Sequence, residues 1–289
     1  MPLIDFILNL AGLLLWLNWL AISFDPLAGA TAATLAGTLK KADTSSPRRW
    51  KPLVALVALL LFRAYIYYLV GSSVGWTPHL HLGFIDLPFL NLFSNPDSFY
   101  RMLLYSGLSF GATLAIFYFW LLLLSAANVT VPDNDPIQKT IRLHIRWIER
   151  WPRSLKLLFP FIISSLLWLI FHPLFVKLAI MPTTKSAVQL VEQAIWIGIG
   201  SYLSWKYLLV GIFLLHILNS YVYLGNHPFW NFINATARNL LTPISWIPLS
   251  MARVDFSPLV GIALVFLITE FLSRLPTIER LNIHKFLPF

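Results

Sequence analysis

Eleven residues past Pro52, inside one long apolar stretch, stands Arg63, and twelve past Pro258, inside another, stands Glu270. At 1.5 Å of helical rise per residue, both would lie about 17 Å from the edge where the stretch begins. An ionisable side chain at such depth in hydrocarbon is costly and is paired or functional. The matched depth leads us to expect an ion pair between Arg63 and Glu270 that offsets part of the burial cost. Such a pair could serve a proton or ion pathway. The reading favoured here is a structural pair or a contact to a partner subunit.

Other residues could do chemistry, and each has a plainer use. His172 and His216 lie within apolar stretches. Two histidines ligate haem only from facing helices at matched depth, and haem here is not expected. His172 is followed by Pro173, which suggests a kink, and His216 reads as hydrogen-bonded packing. In "HLHLGFIDLPF", His79, His81 and Asp86 could hold a metal, but the surrounding Leu80, Leu82, Phe84 and Phe89 favour an interfacial or partner-binding loop. The chain has no cysteine, which removes thiolate metal sites and cysteine nucleophiles. It carries no phosphate-loop, G-x-S-x-G or H-E-x-x-H motif. No enzymatic activity is expected, and no cofactor beyond bound lipid.

The elements that must position these residues follow from composition. The 289 residues are 58% hydrophobic and 11% charged, against about 25% charged in soluble domains. One water-soluble core could not hide so much apolar surface. Six stretches approach the roughly 20 apolar residues of a membrane crossing: 3–24, 52–70, 101–127, 157–180, 203–224 and 257–275. The fifth can begin near Ala187. The first carries Asp5 where a signal peptide would have a basic region, so it is expected to be retained. The apolar runs do not alternate, so a barrel is disfavoured and strands are not expected.

Charge orients the spans. Lys40, Lys41, Arg48, Arg49 and Lys51 follow the first span, and Lys139, Arg142, Arg146, Arg150, Arg153 and Lys156 follow the third. With Arg238 and Arg253 after the fifth, thirteen of the 21 Lys and Arg fall on one face. Positive-inside bias puts these connectors in the cytoplasm and both termini outside, in a bacterial inner membrane. Lys40, Lys41, Arg48, Arg49, Arg142, Arg146, Arg150 and Arg153 are expected to meet anionic lipid headgroups rather than nucleic acid.

The parts also repeat. Pro52-Leu53-Val54 returns as Pro258-Leu259-Val260, each opening a span after a basic loop. Proline suits a first helical turn, where its missing N–H has no partner to lose. Each basic loop begins with a polar residue and a proline: Asp25-Pro26, Asp135-Pro136 and His227-Pro228. Apolar stripes follow, at Ile137, Ile141, Ile145 and Ile148 and at Phe229, Phe232, Ile233, Ala237 and Leu240. Helices of this kind lie in the headgroup plane. The expected architecture is all-α: three hairpins of two spans, with an amphipathic interfacial helix in each connector. The hairpins occupy 1–70, 101–182 and 183–289, with an outer loop at 71–100.

The residues "NLLTPISWIPLSMARVDFSPLVGIALVFLI" (239–268) resemble the YggT/YlmG family of small membrane proteins. Asp255, Phe256, Ser257 and Pro258 are similar to that family's D-x-S-P opening of a span, and Ile244–Pro248 to its proline-containing turn. The likeness covers about 203–272. It weakens over 3–70, where Trp50–Val54 lacks the Asp and Ser, and is marginal over 101–180. Three hairpins exceed the family's one or two, and the third connector lacks its run of arginines. The resemblance implies a non-enzymatic protein that assists assembly of membrane complexes, possibilities that extend to division and envelope organisation and, in plastids, cytochrome b maturation. The expected function is therefore a scaffold or assembly subunit of a larger membrane complex. A small transporter or channel using Arg63 and Glu270 is the alternative, with the internal repeat in its favour.

Overall fold

The computed structural model describes residues 2–23, 50–74, 78–82, 85–89, 98–129, 135–178, 180, 184, 186–222, 227–244, 246–247, 250–251 and 254–273. Most of them are helical. Among the described residues, five helices are long and apolar enough to cross a membrane: Leu3–Ala21, Trp50–Val70, Phe99–Ala127, Arg153–Lys177 and Ala187–Tyr221. A sixth apolar helix, Ser257–Leu272, is shorter. At 1.5 Å per residue its 16 residues reach about 24 Å, a little less than a typical hydrocarbon core.

The chain divides into two compact units, Met1–Leu80 with Pro88–Leu114 and His81–Leu87 with Ala115–Phe289. The division falls within one long helix, whereas the hairpin expected at 101–182 keeps that helix whole.

In the first unit, α1 (Pro2–Ser23) packs along α2 (Trp50–Val74). The amino-terminal part of α3 (Ser98–Ala127) joins them. Gly12 sets the closeness: a Cβ there would meet two Phe110 ring carbons at 2.9 Å and Leu56 Cδ1 at 3.4 Å. Ser106 donates a 2.9 Å hydrogen bond to the Leu60 carbonyl, tying α3 to α2. Two short strands, β1 (His79–Leu82) and β2 (Ile85–Pro88), pair as a ribbon. A second ribbon pairs β3 (Ser250–Met251) with β4 (Val254–Asp255) antiparallel. Both ribbons correct the expectation of no strands. They are turns in connectors, too short to give a periodic signal.

The second unit holds the rest of α3, α4 (Pro136–Ile145), a 3₁₀ turn (Arg146–Arg150), α5 (Arg153–Lys177), α6 (Ala187–Gly200), α7 (Trp205–Tyr221), α8 (Pro228–Leu241) and α9 (Ser257–Ser273). α5 runs on through Pro160 and Pro173. A 3₁₀ break at Ser201–Ser204 separates α6 from α7. It frees the Ser204 carbonyl for Trp120 Nε1 at 2.8 Å, while Trp205 Nε1 donates to the Phe119 carbonyl at 3.1 Å.

α7 packs along α9. The second hairpin differs: the broadest helix contact of α5 is with α6 rather than α3. Gly198 makes that contact possible. A Cβ there would lie 2.4 Å from Ser165 Oγ and 2.6 Å from Phe161 Cδ2. Small residues drive helix pairing where no hydrophobic effect separates protein from lipid. Gly198→Leu is expected to cost about 1–3 kcal/mol by overpacking and Gly198→Ala less, read as a lowered midpoint of detergent-induced unfolding. An unshifted midpoint for Gly198→Leu would show that the two helices do not meet at this glycine.

α4 and α8 begin where their sequence signals place them. Asp135 accepts from the Ile137 and Gln138 amides at 2.8 and 3.2 Å, His227 Nδ1 accepts from the Phe229 amide at 3.2 Å, and proline follows each. Their apolar stripes turn into one core. Ile141, Ile145, Phe232, Ile233, Ala237 and Leu241 are buried together with Phe119, Leu122, Ile212 and Phe213. Protein covers much of what was expected to rest on lipid. α4 also ends earlier than its stripe, because Arg146 takes φ +40° and breaks the helix. That conformation disfavours a residue with a Cβ, and Ile148 reaches the core from the 3₁₀ turn.

The connector after the first span, with Asp25-Pro26, Lys40, Lys41, Arg48 and Arg49 and the interfacial helix expected in it, lies outside the described residues.

Candidate functional site

The described residues of the first unit enclose a polar cluster around Arg63. Arg63 is 1% exposed. Its Nη2 donates to Asp5 Oδ1 at 2.8 Å and to Ser109 Oγ at 2.9 Å. Nη1 donates to Asn9 Oδ1 at 2.7 Å, and Nε to Tyr67 Oη at 3.3 Å. Four of the five guanidinium N–H groups thus have acceptors. The Tyr67 hydroxyl in turn donates to Asp5 Oδ1, and that of Tyr105 to Asp5 Oδ2 at 3.2 Å. Asn9 Nδ2 donates to Ser109 Oγ at 3.0 Å. The Tyr67 and Tyr105 ring centroids lie 5.4 and 5.5 Å from Arg63 Cζ, within cation–π range. Asp5 sits in the first turn of α1, where the helix dipole favours a carboxylate.

Each helix contributes residues four apart: Asp5 and Asn9 from α1, Arg63 and Tyr67 from α2, Tyr105 and Ser109 from α3. That spacing puts both members on one helical face. The arrangement neutralises a charge and holds three helices in register. Arg63 is thus paired as expected of a charge in a span, but its carboxylate is Asp5, where the sequence reading set Glu270. Glu270 is exposed on α9, in the other unit.

A second polar group lies in the second unit, where α3 ends. The Glu149 carboxylate accepts from Ser125 Oγ at 2.6 Å and lies 3.3 Å from Lys156 Nζ. Lys156 also donates to Ser125 Oγ at 2.9 Å. Arg142 Nε stands 3.3 Å from Glu149 Oε1, close enough for charge attraction but poorly angled for a hydrogen bond. One turn on, buried Asn128 donates to Thr236 Oγ1 at 2.8 Å and accepts from Asn239 Nδ2 at 3.1 Å. Gln138 Nε2 reaches the Asn128 carbonyl at 3.4 Å. Asn128 therefore stitches α3 to both amphipathic helices.

The remaining expected residues fall as follows. Arg142 turns toward Glu149, while Arg146, Arg150 and Arg153 are exposed, as a lipid contact requires. Ser257 N donates to Asp255 Oδ1 at 2.9 Å, and Pro258 is buried one residue further, so D-F-S-P is a cap that opens α9. The Ser257 hydroxyl and amide hold the Asp255 carboxyl below the usual carboxylate range. His216 Nδ1 is 2.8 Å from Asn234 Oδ1, the packing bond expected of it. His172 is buried against Trp168 on its own helix. Outside that set, Lys206 Nζ on α7 sits 4.6 Å from the Phe266 ring centroid on α9.

Comparison with known proteins returns no match: no family model, no curated protein and no solved structure.

Proposed function

We propose that this chain is a non-catalytic, multi-pass subunit that scaffolds or assists assembly of a larger membrane protein complex. The observation that carries the reading is the direction in which polarity is turned. Arg63, Asp5, Asn9, Tyr67, Tyr105 and Ser109 satisfy one another inside the first unit. The spans keep apolar outer faces. Only 11% of the window in the first and fifth spans is buried, and 17% in the fourth. Such faces need lipid or other helices to cover them. A guanidinium closed in this way serves cohesion better than conduction.

In this reading the chain crosses six times, with Ser257–Ser273 as the shortest crossing and the basic connectors on the cytoplasmic side of a bacterial inner membrane. α4 and α8 lie near the headgroup level, their charged faces outward. The YggT-like order of parts over 203–272 accords with an assembly role.

The test is gentle extraction of the chain from its own membranes, followed by native electrophoresis and mass spectrometry. A defined assembly with stoichiometric membrane subunits is expected. A solitary protein that moves an ion in liposomes, with transport abolished by Arg63→Gln, would overturn the reading in favour of the transporter.

A further inference from the structure

The second hairpin does not close on itself. Its spans are separated by a cavity of about 270 Å³. From α3 come Ala115, Tyr118, Phe119 and Leu122, and from α5 come Phe159, Ile163, Ser164 and Leu167. His144, Ile145 and Ile148 close one end from α4 and the 3₁₀ turn. Along α5 the cavity spans about 9–21 Å from Arg153, at 1.5 Å per residue, so it runs from the leaflet nearer the connector to around the middle of a roughly 30 Å core. Its volume equals about nine waters, yet its walls are apolar, and water leaves such spaces. The cavity is partly open to its surroundings, so its apolar lining is covered only if something apolar enters it. Hydrocarbon from the bilayer is the filling at hand.

The connector at this end carries the other half of a lipid site. Arg150 and Arg153 are exposed, Trp147 is 86% exposed, and Leu143 and Leu155 are exposed beside them. Arginine recognises phosphate, and tryptophan settles at the headgroup level. Glu149, the acid within this run, is already held by Ser125 and Lys156, so it does not neutralise the exposed arginines.

We infer that the second hairpin holds one anionic phospholipid, with an acyl chain in the cavity between α3 and α5 and the phosphate on Arg150 and Arg153. This rests on the membrane-spanning reading and adds a specific ligand to it.

The experiment reconstitutes the full chain into nanodiscs of equal phosphatidylglycerol and phosphatidylcholine, then releases it for native mass spectrometry. The wild type is expected to retain phosphatidylglycerol at least threefold over phosphatidylcholine. Arg150→Gln/Arg153→Gln should bring the ratio to about one, and Arg150→Lys/Arg153→Lys should keep most of the preference. Ser164→Phe, which fills the cavity, should remove one retained lipid without touching the arginines. A wild-type ratio equal to that of the bilayer, or a ratio unmoved by the double glutamine variant, would overturn the headgroup assignment. An unchanged lipid count in Ser164→Phe would overturn the chain's placement. Size-exclusion profiles of the same discs report insertion and folding separately, and native electrophoresis of each variant reports complex formation. A failed scaffold reading is thereby told apart from a failed lipid site.

Discussion

Asp5→Leu is expected to destabilise the first unit by about 3–5 kcal/mol, the cost of removing one partner from a buried ion pair. The substitution takes away a carboxylate but leaves Arg63, 1% exposed, with Asn9, Ser109 and Tyr67 as its acceptors among the described residues. It also strands the hydroxyls of Tyr67 and Tyr105, which both donate to Asp5. Removing the pair as a whole should hurt less, because buried ion pairs give little net stability over apolar side chains of similar volume. Asp5→Leu/Arg63→Met should therefore be more stable than Asp5→Leu alone, with a coupling of about 2–3 kcal/mol. Detergent-induced unfolding followed by tryptophan fluorescence reads this directly, since Trp16 and Trp19 lie on α1. Glu270→Gln in the same assay should leave the first unit unchanged. Additive losses for Asp5 and Arg63 would show that the two do not pair.

This cluster marks how far the sequence could be read. Arg63 was legible as a buried charge, because an arginine eleven residues into an apolar run has few alternatives. Its partner was not. The internal repeat directed attention to Glu270, and Asp5 registered only as the absence of a basic leader. A better signal was present: Asp5/Asn9, Arg63/Tyr67 and Tyr105/Ser109 are polar pairs four apart on predominantly apolar helices. Such pairs state that a helix has an inward polar face. They do not state which helices will share it, since pairing is decided by packing such as that of Gly12 against Phe110.

The amphipathic helices show the same division. Asp135-Pro136 and His227-Pro228 fixed both starts, because capping is local chemistry. Where the apolar stripes would go was not local. A row of isoleucines is equally suited to lipid and to protein, and Ile141 and Ile145 found Phe232 and Ile233. The end of α4 was hidden for a different reason. Nothing in Ile145-Arg146 signals a turn; the backbone bends there at a positive φ that arginine does not favour. The splayed second hairpin could not be read either, for hydropathy measures a span's length and not which neighbour it packs against.

Glu149→Leu should be the second most damaging change, at about 3 kcal/mol, the lower end for a broken buried pair because a quarter of the Glu149 side chain meets solvent. Lys156 is 3% exposed, and among the described residues Ser125 Oγ is the one hydrogen-bond acceptor left to it. The loss would not be confined to charge. Glu149 belongs to the 3₁₀ turn, and its bond to Ser125 is what fastens that turn to α3. Freed, the turn would carry Trp147, Ile148 and Arg150 away from the cavity's closed end. Lipid retention should then fall together with stability. Glu149→Gln separates the two effects. It keeps an acceptor for Ser125 and Lys156 but gives up the charge, so it should destabilise less than leucine while holding the turn. The anionic-lipid preference in Glu149→Gln should equal that of the wild type, since Glu149 is engaged by Ser125 and Lys156 and not by the exposed arginines. A fall in that preference, at unchanged stability, would mean that Glu149 shapes the headgroup site itself rather than anchoring the turn beneath it.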